Sequence, residues 1–152
     1  MERTMKLSVI STTLAATLFA GALFAGGHLV YEQRQAAMKS MGGSMKTLGG
    51  MAQGAMEFDG DAVAAALATM QASAEMAQGA FPAEPDLDPN SRALAAIWEN
   101  RADFDARLQS LADAITIAQA APPADAAAIG AFMGQVGPTC QGCHETYRAP
   151  MQ

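Results

Sequence analysis

The sequence predicts an all-α protein, an antiparallel up-down-up-down bundle of four helices. Of its 152 residues, 51% are hydrophobic and 16% are charged, which suffices for one domain with its own core. Apolar residues recur three and four positions apart in four segments, and turns rich in glycine, proline and aspartate separate these segments. Narrow apolar stripes of this kind are typical of helices that pack side by side in a bundle.

Residues 1–22 form a predicted signal segment, and the helical domain occupies residues 23–152. Arg3 and Lys6 precede a long uncharged run, which is the layout of a secretory signal. We place the cleavage after Ala22, among small residues. An uncleaved membrane anchor is the alternative, because about 20 apolar residues also span a bilayer. A cleaved signal predicts export to the periplasm.

The first predicted helix extends from Tyr31 to Ala55 and has one apolar face. That face consists of Tyr31, Met38, Met41, Met45, Leu48, Ala52 and Ala55. Arg34 interrupts it, which is unusual because an unpaired buried charge is energetically costly. Either Arg34 pairs with an anion, or its side chain extends to solvent near the helix start.

The second and third predicted helices each begin at an aspartate. Asp61 is the expected N-cap of the second, and Asp88 caps the third with Pro89 at the first helical position. The second stripe comprises Val63, Leu67, Met70, Ala74 and Ala77. The third stripe, with Trp98 beside it, comprises Leu94, Ile97, Arg101, Phe104, Leu108, Leu111, Ile115 and Ala118.

The fourth predicted helix starts at about Ala124 and carries both cysteines of the chain on its apolar face. Its stripe is Ile129, Met133, Val136, Cys140, Cys143 and Tyr147. Gly137 and Pro138 predict a kink just before the cysteines.

Cys140, Cys143 and His144 form a C-x-x-C-H motif, the pattern for covalent attachment of a c-type haem. Two thiols on one helical turn can reach the two vinyl groups of the macrocycle, and the adjacent imidazole can bind the iron. A disulfide would close too short a loop to constrain much of the chain. A thioredoxin-like dithiol lacks its βαβ context, and a zinc site lacks a fourth ligand, since the other histidine is His28.

The sequence resembles the class II cytochromes c, the cytochrome c′ family and its low-spin relatives. The resemblance rests on CHETYR at the C-terminus, AAIWENRADF on the third helix and RQAAMKSM on the first. It implies one haem c, attached to the C-terminal helix through Cys140 and Cys143. It also implies that Arg34 neighbours a haem propionate, and places Met38 on the distal side of the iron.

Other residues acquire an expected place from the same resemblance. Arg148 would lie beside His144, the proximal iron ligand, and Trp98 would lie near the haem. The position of Arg101 in the apolar stripe of the third helix raises the same question as Arg34. We expect Arg101 to pair with a propionate, with Glu32, with Asp105 or with another carboxylate on the surface.

The expected function is single-electron transfer by an exported haem protein that is not an enzyme. Met38 is the expected sixth ligand, with Met41 and Met45 as the fallback donors. Without such a ligand the iron would be five-coordinate and high-spin, and the protein would bind nitric oxide or carbon monoxide. A thiol-disulfide enzyme using the two cysteines is an alternative from another class.

The charge of the chain bears on its partners. The formal net charge is −6, and removal of the signal segment leaves 7 basic and 14 acidic residues. Acidic composition without a basic cluster argues against a nucleic-acid partner. We expect a redox protein with a basic docking face, no membrane contact once the signal is cleaved, and the option of a homodimer through the first two helices.

Overall fold

The computed structural model describes residues 17–85 and 88–150, with side chains from His28 onward. The helices in this part of the chain are α1 (Thr17–Ala52), α2 (Gly60–Gly79), α3 (Ala96–Glu99), α4 (Arg101–Ala120) and α5 (Ala126–Tyr147). The predicted all-α, antiparallel four-helix bundle is confirmed, with α1, α2, α4 and α5 as its long helices. Of the predicted signal, residues 1–16 lie outside the described residues, and the cleavage point after Ala22 falls within the α1 backbone.

The four long helices form a closed ring around the core. Helix α1 packs against α2 and α5, and α4 packs against the same two helices. One large apolar cluster fills most of the bundle and includes Leu48, Leu67, Met70, Ile115 and Ile129. A smaller cluster lies at the end where α5 finishes, and consists of Ala37, Ala77, Phe81, Ile97, Phe104, Leu108 and Tyr147. The two clusters therefore divide the interior into a packed bundle core and a separate terminal region.

The predicted stripes account for most of these buried positions. Met41 and Leu48 are buried on α1, whereas Ala55 is exposed because α1 ends at Ala52. Gly54 lies two residues later in the left-handed region (φ 71°), where glycine is tolerated without a Cβ clash, and it reverses the chain toward α2.

The predicted cap of the second helix is wrong by two residues. Asp59, not Asp61, is the N-cap of α2, and its Oδ1 accepts hydrogen bonds from the backbone N–H groups of Asp61 (2.9 Å) and Ala62 (3.1 Å). A capping side chain must precede the helix by one position to reach these groups, and the helix begins at Gly60. In α5 the helix begins close to the predicted start, at Ala126.

The predicted start of the third helix is also wrong. The helix begins at Ala96 rather than at Pro89 with Asp88 as its cap, and Asn100 divides it into the short α3 and the long α4. Asp88 Oδ1 instead accepts a hydrogen bond from the Asn90 backbone N–H (2.8 Å), as an aspartate does in turns. The next residues cannot become helical because Ala93 forms an antiparallel bridge with Arg148 after α5. Tertiary pairing thus overrides the local helix signal.

None of the helices in the described ranges offers an apolar stretch of the length that a bilayer requires.

Candidate haem-binding site

Cys140, Cys143 and His144 lie on the last two turns of α5, and all three are half-buried. Cys140 packs against the large cluster and Cys143 against the smaller one, so the motif stands at the junction of the two. The two cysteines do not form a disulfide. The helix continues through Pro138 just before them.

A cavity of about 90 Å³, partly open to solvent, lies between this end of α5 and α1. Met38 lines it from α1, and Cys143 and His144 line it from α5. Its remaining lining is Tyr31, Arg34, Gln35, Phe81, Ser91, Arg92, Ala93, Ile97, Phe104, Leu108, Tyr147 and Arg148. The cavity is therefore mostly apolar, with cationic groups and no carboxylate among its lining residues.

The ionisable groups of the motif are held in their neutral forms. Burial raises the pKa of the Cys140 thiol. Burial also raises the pKa of Cys143, and the nearby Arg107 guanidinium partly offsets this effect. The pKa of His144 is lowered, first by burial and then by the positive charges of Arg148 and Arg92. A neutral imidazole is the form that coordinates a metal.

Arg34 is buried, with 6% of its surface exposed, so the alternative of a solvent-exposed side chain is wrong. Its guanidinium donates hydrogen bonds to the Ala80 carbonyl (3.0 Å) and to Ser91 Oγ (3.0 Å). The Arg34 Cζ atom also lies 5.0 Å from the centroid of the Phe81 ring. Arg34 also lines the cavity, so a positive charge stands in its wall.

The other predicted residues have different placements. Arg148 lines the cavity together with His144, whereas Trp98 and Arg101 are not among its lining residues. Trp98 packs against the smaller cluster, and its indole N–H donates to the Pro82 carbonyl (3.0 Å). Arg101 pairs with Asp105 (2.8 Å), one of the carboxylates expected for it.

Arg92 is a site residue that the sequence analysis missed. It lines the cavity, and its guanidinium donates to the Ala149 carbonyl (3.0 Å from Nε). The Ala149 backbone N–H donates back to the Arg92 carbonyl (2.9 Å), and the Leu94 N–H donates to the Tyr147 carbonyl (3.1 Å). These bonds fasten the segment before α3 to the end of α5. Because they form only in the folded chain, no local sequence pattern marks them.

The site fits a haem. Two reduced thiols and a neutral imidazole on one helix end are the protein groups that covalent haem attachment and iron ligation require. Met38, a thioether residue, lines the same cavity from another helix, and cationic side chains in the lining suit a ligand that bears carboxylates. In the described part of the chain, no group of three or more His, Cys, Asp or Glu side chains could hold a metal ion without such a cofactor.

A helical bundle with C-x-x-C-H on its last helix defines a c-type haem protein. The family model described as cytochrome c′ matches residues 30–148. Cytochrome c-556 of Agrobacterium fabrum is 37% identical over 145 residues, covering 95% of this chain and 97% of the relative. Cytochrome c′ of Rhodopseudomonas palustris is 34% identical over 146 residues, with 95% and 98% coverage. A solved structure of cytochrome c′ from Rhodopseudomonas palustris superposes with a TM-score of 0.73 at 34% identity, covering 81% of this chain and 98% of that one.

The chain belongs to the cytochrome c′ family, which includes proteins named cytochrome c-556 as well as cytochrome c′. It is a haem protein, and its cofactor is a covalently bound haem c with iron.

Proposed function

We propose that this protein is a single-electron carrier whose haem iron is bound by His144 on one side and by Met38 on the other. The observation that carries the proposal is that Met38, from α1, and His144, from α5, line the same cavity. When bound, haem c supplies an iron that alternates between the ferric and ferrous states. A thioether ligand opposite histidine raises the reduction potential, as suits an electron carrier.

The residues of the chain hold and orient this group. Cys140 and Cys143 form the two thioether bonds, which fix the macrocycle to α5. His144 provides a neutral imidazole nitrogen, because burial and the neighbouring arginines disfavour its protonation. Arg34, already buried and held by Ala80 and Ser91, neutralises a propionate.

The apolar lining limits the access of water to the iron environment. Ile97, Phe104 and Leu108 line the cavity and are buried. Burial of this kind limits solvent reorganisation around the redox centre and tunes its potential. We propose no substrate turnover.

A second candidate is a five-coordinate protein that binds nitric oxide or carbon monoxide. The observation in its favour is the flexible, half-buried side chain of Met38, which could turn away and leave an apolar space beside the iron. The fold, the attachment residues and His144 serve both functions equally well.

Replacement of Met38 tests the proposal. In the reduced protein, Met38→Ala should convert a low-spin spectrum to a high-spin one, whereas Met41→Ala should leave it unchanged. Met41 is the matched control because it lies one turn along the same helix, but it is buried in the large cluster instead of lining the cavity. A low-spin spectrum that survives Met38→Ala but disappears in Met45→Ala would assign the ligand to Met45.

The attachment residues have their own test. The denatured protein should keep a mass increase of one haem, and Cys140→Ala with Cys143→Ala should abolish it. Retention of free thiols without this mass increase would instead favour a thiol-disulfide enzyme.

The cellular setting is part of the proposal. A cleaved signal at residues 1–22 would deliver the protein to the periplasm, where an acidic carrier meets a redox partner with a basic docking face. N-terminal sequencing of the exported protein should begin at Leu23, the residue after Ala22. Electron exchange with the partner should slow as the salt concentration increases. An N-terminus at residue 1 together with membrane association would support the uncleaved anchor.

A further inference from the structure

Three side chains join α4 to the haem-binding end of α5. Asp103 Oδ2 accepts hydrogen bonds from Arg107 Nε (2.7 Å) and from the Tyr147 hydroxyl (2.5 Å). Arg107 also donates to the Gly142 carbonyl (3.1 Å), inside the C-x-x-C-H motif, and its Cζ atom lies 5.6 Å from the centroid of the Tyr147 ring. We call Asp103, Arg107 and Tyr147 the α4–α5 clamp.

The clamp is anchored in the wall of the cavity. Tyr147 is buried and lines the cavity, and its ring packs edge-on against Phe104 at a centroid distance of 5.2 Å. The clamp holds α5 at Gly142 and at Tyr147, on either side of Cys143 and His144. Rotation or fraying of the turn that carries these residues would break both attachments at once.

A second ion pair on α4 provides an internal comparison. Arg101 and Asp105 are also four residues apart on the helix, with side-chain exposures of 37% and 53%. The side chains of Arg107 and Asp103 are exposed to nearly the same extent, 38% and 54%. Arg101, however, donates to the Pro82 carbonyl (3.2 Å), in the loop after α2. The two pairs differ in whether they reach α5, and also in their order along the helix, because Asp103 precedes Arg107 whereas Arg101 precedes Asp105.

We infer that Asp103 and Arg107 are positioning residues, which act through Tyr147 and Gly142 to fix the haem-binding turn and thereby set the reduction potential of the iron. Hydrogen bonds and charges behind the direct ligands are known to orient those ligands and tune the metal. This inference rests on the proposed function in one respect, since it requires iron held by His144. It does not require Met38 as the sixth ligand.

The test is a double-mutant cycle on the reduction potential of the haem-containing protein. Asp103→Asn should raise the potential more than Asp105→Asn does. Both changes leave an arginine without its carboxylate, and the added positive charge disfavours ferric iron, but only Asp103→Asn also weakens the link to α5. Tyr147→Phe removes that link without changing charge, and it keeps the ring in place.

The link predicts a particular pattern of coupling. The shifts of Asp103→Asn and Tyr147→Phe should be non-additive, whereas those of Asp105→Asn and Tyr147→Phe should add. Amide hydrogen exchange in residues 143–147 should accelerate about tenfold in Asp103→Asn and in Tyr147→Phe, and stay unchanged in Asp105→Asn.

The inference would be overturned if the potential shifts of Asp103→Asn and Tyr147→Phe were additive. It would also be overturned if Asp103→Asn and Asp105→Asn gave equal potential shifts and equal hydrogen-exchange rates. Should Asp103→Asn fail to fold, Tyr147→Phe alone must change both the potential and the exchange, or the inference is wrong. A high-spin spectrum would refute Met38 ligation and leave this comparison valid. If the protein carried no haem on α5, the claim about the reduction potential would be refuted. Hydrogen exchange would then test only the claim that the clamp fixes the turn of residues 143–147.

Discussion

Replacement of the buried Arg34 should strongly destabilise the protein. In Arg34→Met the apolar stem is kept, but the bonds to the Ala80 carbonyl and to Ser91 Oγ, both 3.0 Å long, are lost. Each hydrogen bond from a charged donor contributes about 1.5–3 kcal/mol, and the contact with the Phe81 ring adds about 0.5–2 kcal/mol. Relief from burying a charge offsets part of this sum. We expect the free energy of unfolding to fall by about 2–4 kcal/mol.

Urea unfolding of the haem-containing protein at neutral pH, followed by far-UV circular dichroism, measures this loss. Arg101→Met is the control, because Arg101 is 37% exposed and its pair with Asp105 lies at the surface. An exposed ion pair contributes about 0–1 kcal/mol, so the control should lose no more than that. Equal losses in the two variants would refute the reasoning that burial makes the Arg34 contacts strong.

Three further predictions concern the bundle. Ile115→Ala should cost about 2–5 kcal/mol in urea unfolding because Ile115 is fully buried, and the same change at Ile117, 70% exposed on the same helix, should cost less than about 0.5 kcal/mol. Gly43→Ala should stabilise α1 by about 0.5–1 kcal/mol, since an added Cβ meets no atom within 4 Å; a lower melting temperature would contradict this. The pKa of His28 is raised above 6.5, chiefly by the hydrogen bond with Asp88. Protonated His28 therefore stabilises the fold fully below pH 6.5, and this stabilisation is lost as the pH rises through the pKa of the folded state. His28→Gln should therefore remove part of the decline in melting temperature above pH 6.5, and an unchanged pH profile would contradict that role.

Much of the bundle could be predicted because its signals are local and periodic. The stripes on α2, α4 and α5 correspond to buried or half-buried positions, since a 3.6-residue helix places such residues on one side. The start of the third helix could not be predicted in this way. Asp88 carries the same signal for a turn as for a helix start, and the bridge between Ala93 and Arg148 decides between them. That bridge joins residues far apart in sequence.

The site shows the same division between local and long-range information. The motif at Cys140, Cys143 and His144 is visible in the sequence because its spacing on one helix is itself the requirement for attachment. Arg34 stands out in the sequence as a charge on an apolar face, but its partners, Ala80 and Ser91, belong to other segments. Such partners become neighbours only when the chain folds.

The α4–α5 clamp could be predicted only in part from the sequence. The pairing of Asp103 with Arg107 follows from their i, i+4 spacing on a helix. Arg101 and Asp105 have the same spacing in the reverse order, and nothing in the sequence shows which of the two pairs reaches α5. Only the packing of α4 on α5 distinguishes them, because it brings Tyr147 and Gly142 to one pair and not to the other.

The optical spectrum of the reduced native protein, recorded before and after addition of carbon monoxide, tests the central claim most directly. Ligation by both His144 and Met38 predicts a low-spin spectrum that carbon monoxide changes slowly or only in part, because the gas must displace the Met38 sulfur. A high-spin spectrum with immediate and complete carbon monoxide binding would contradict Met38 ligation, and would assign the protein to the gas-binding alternative.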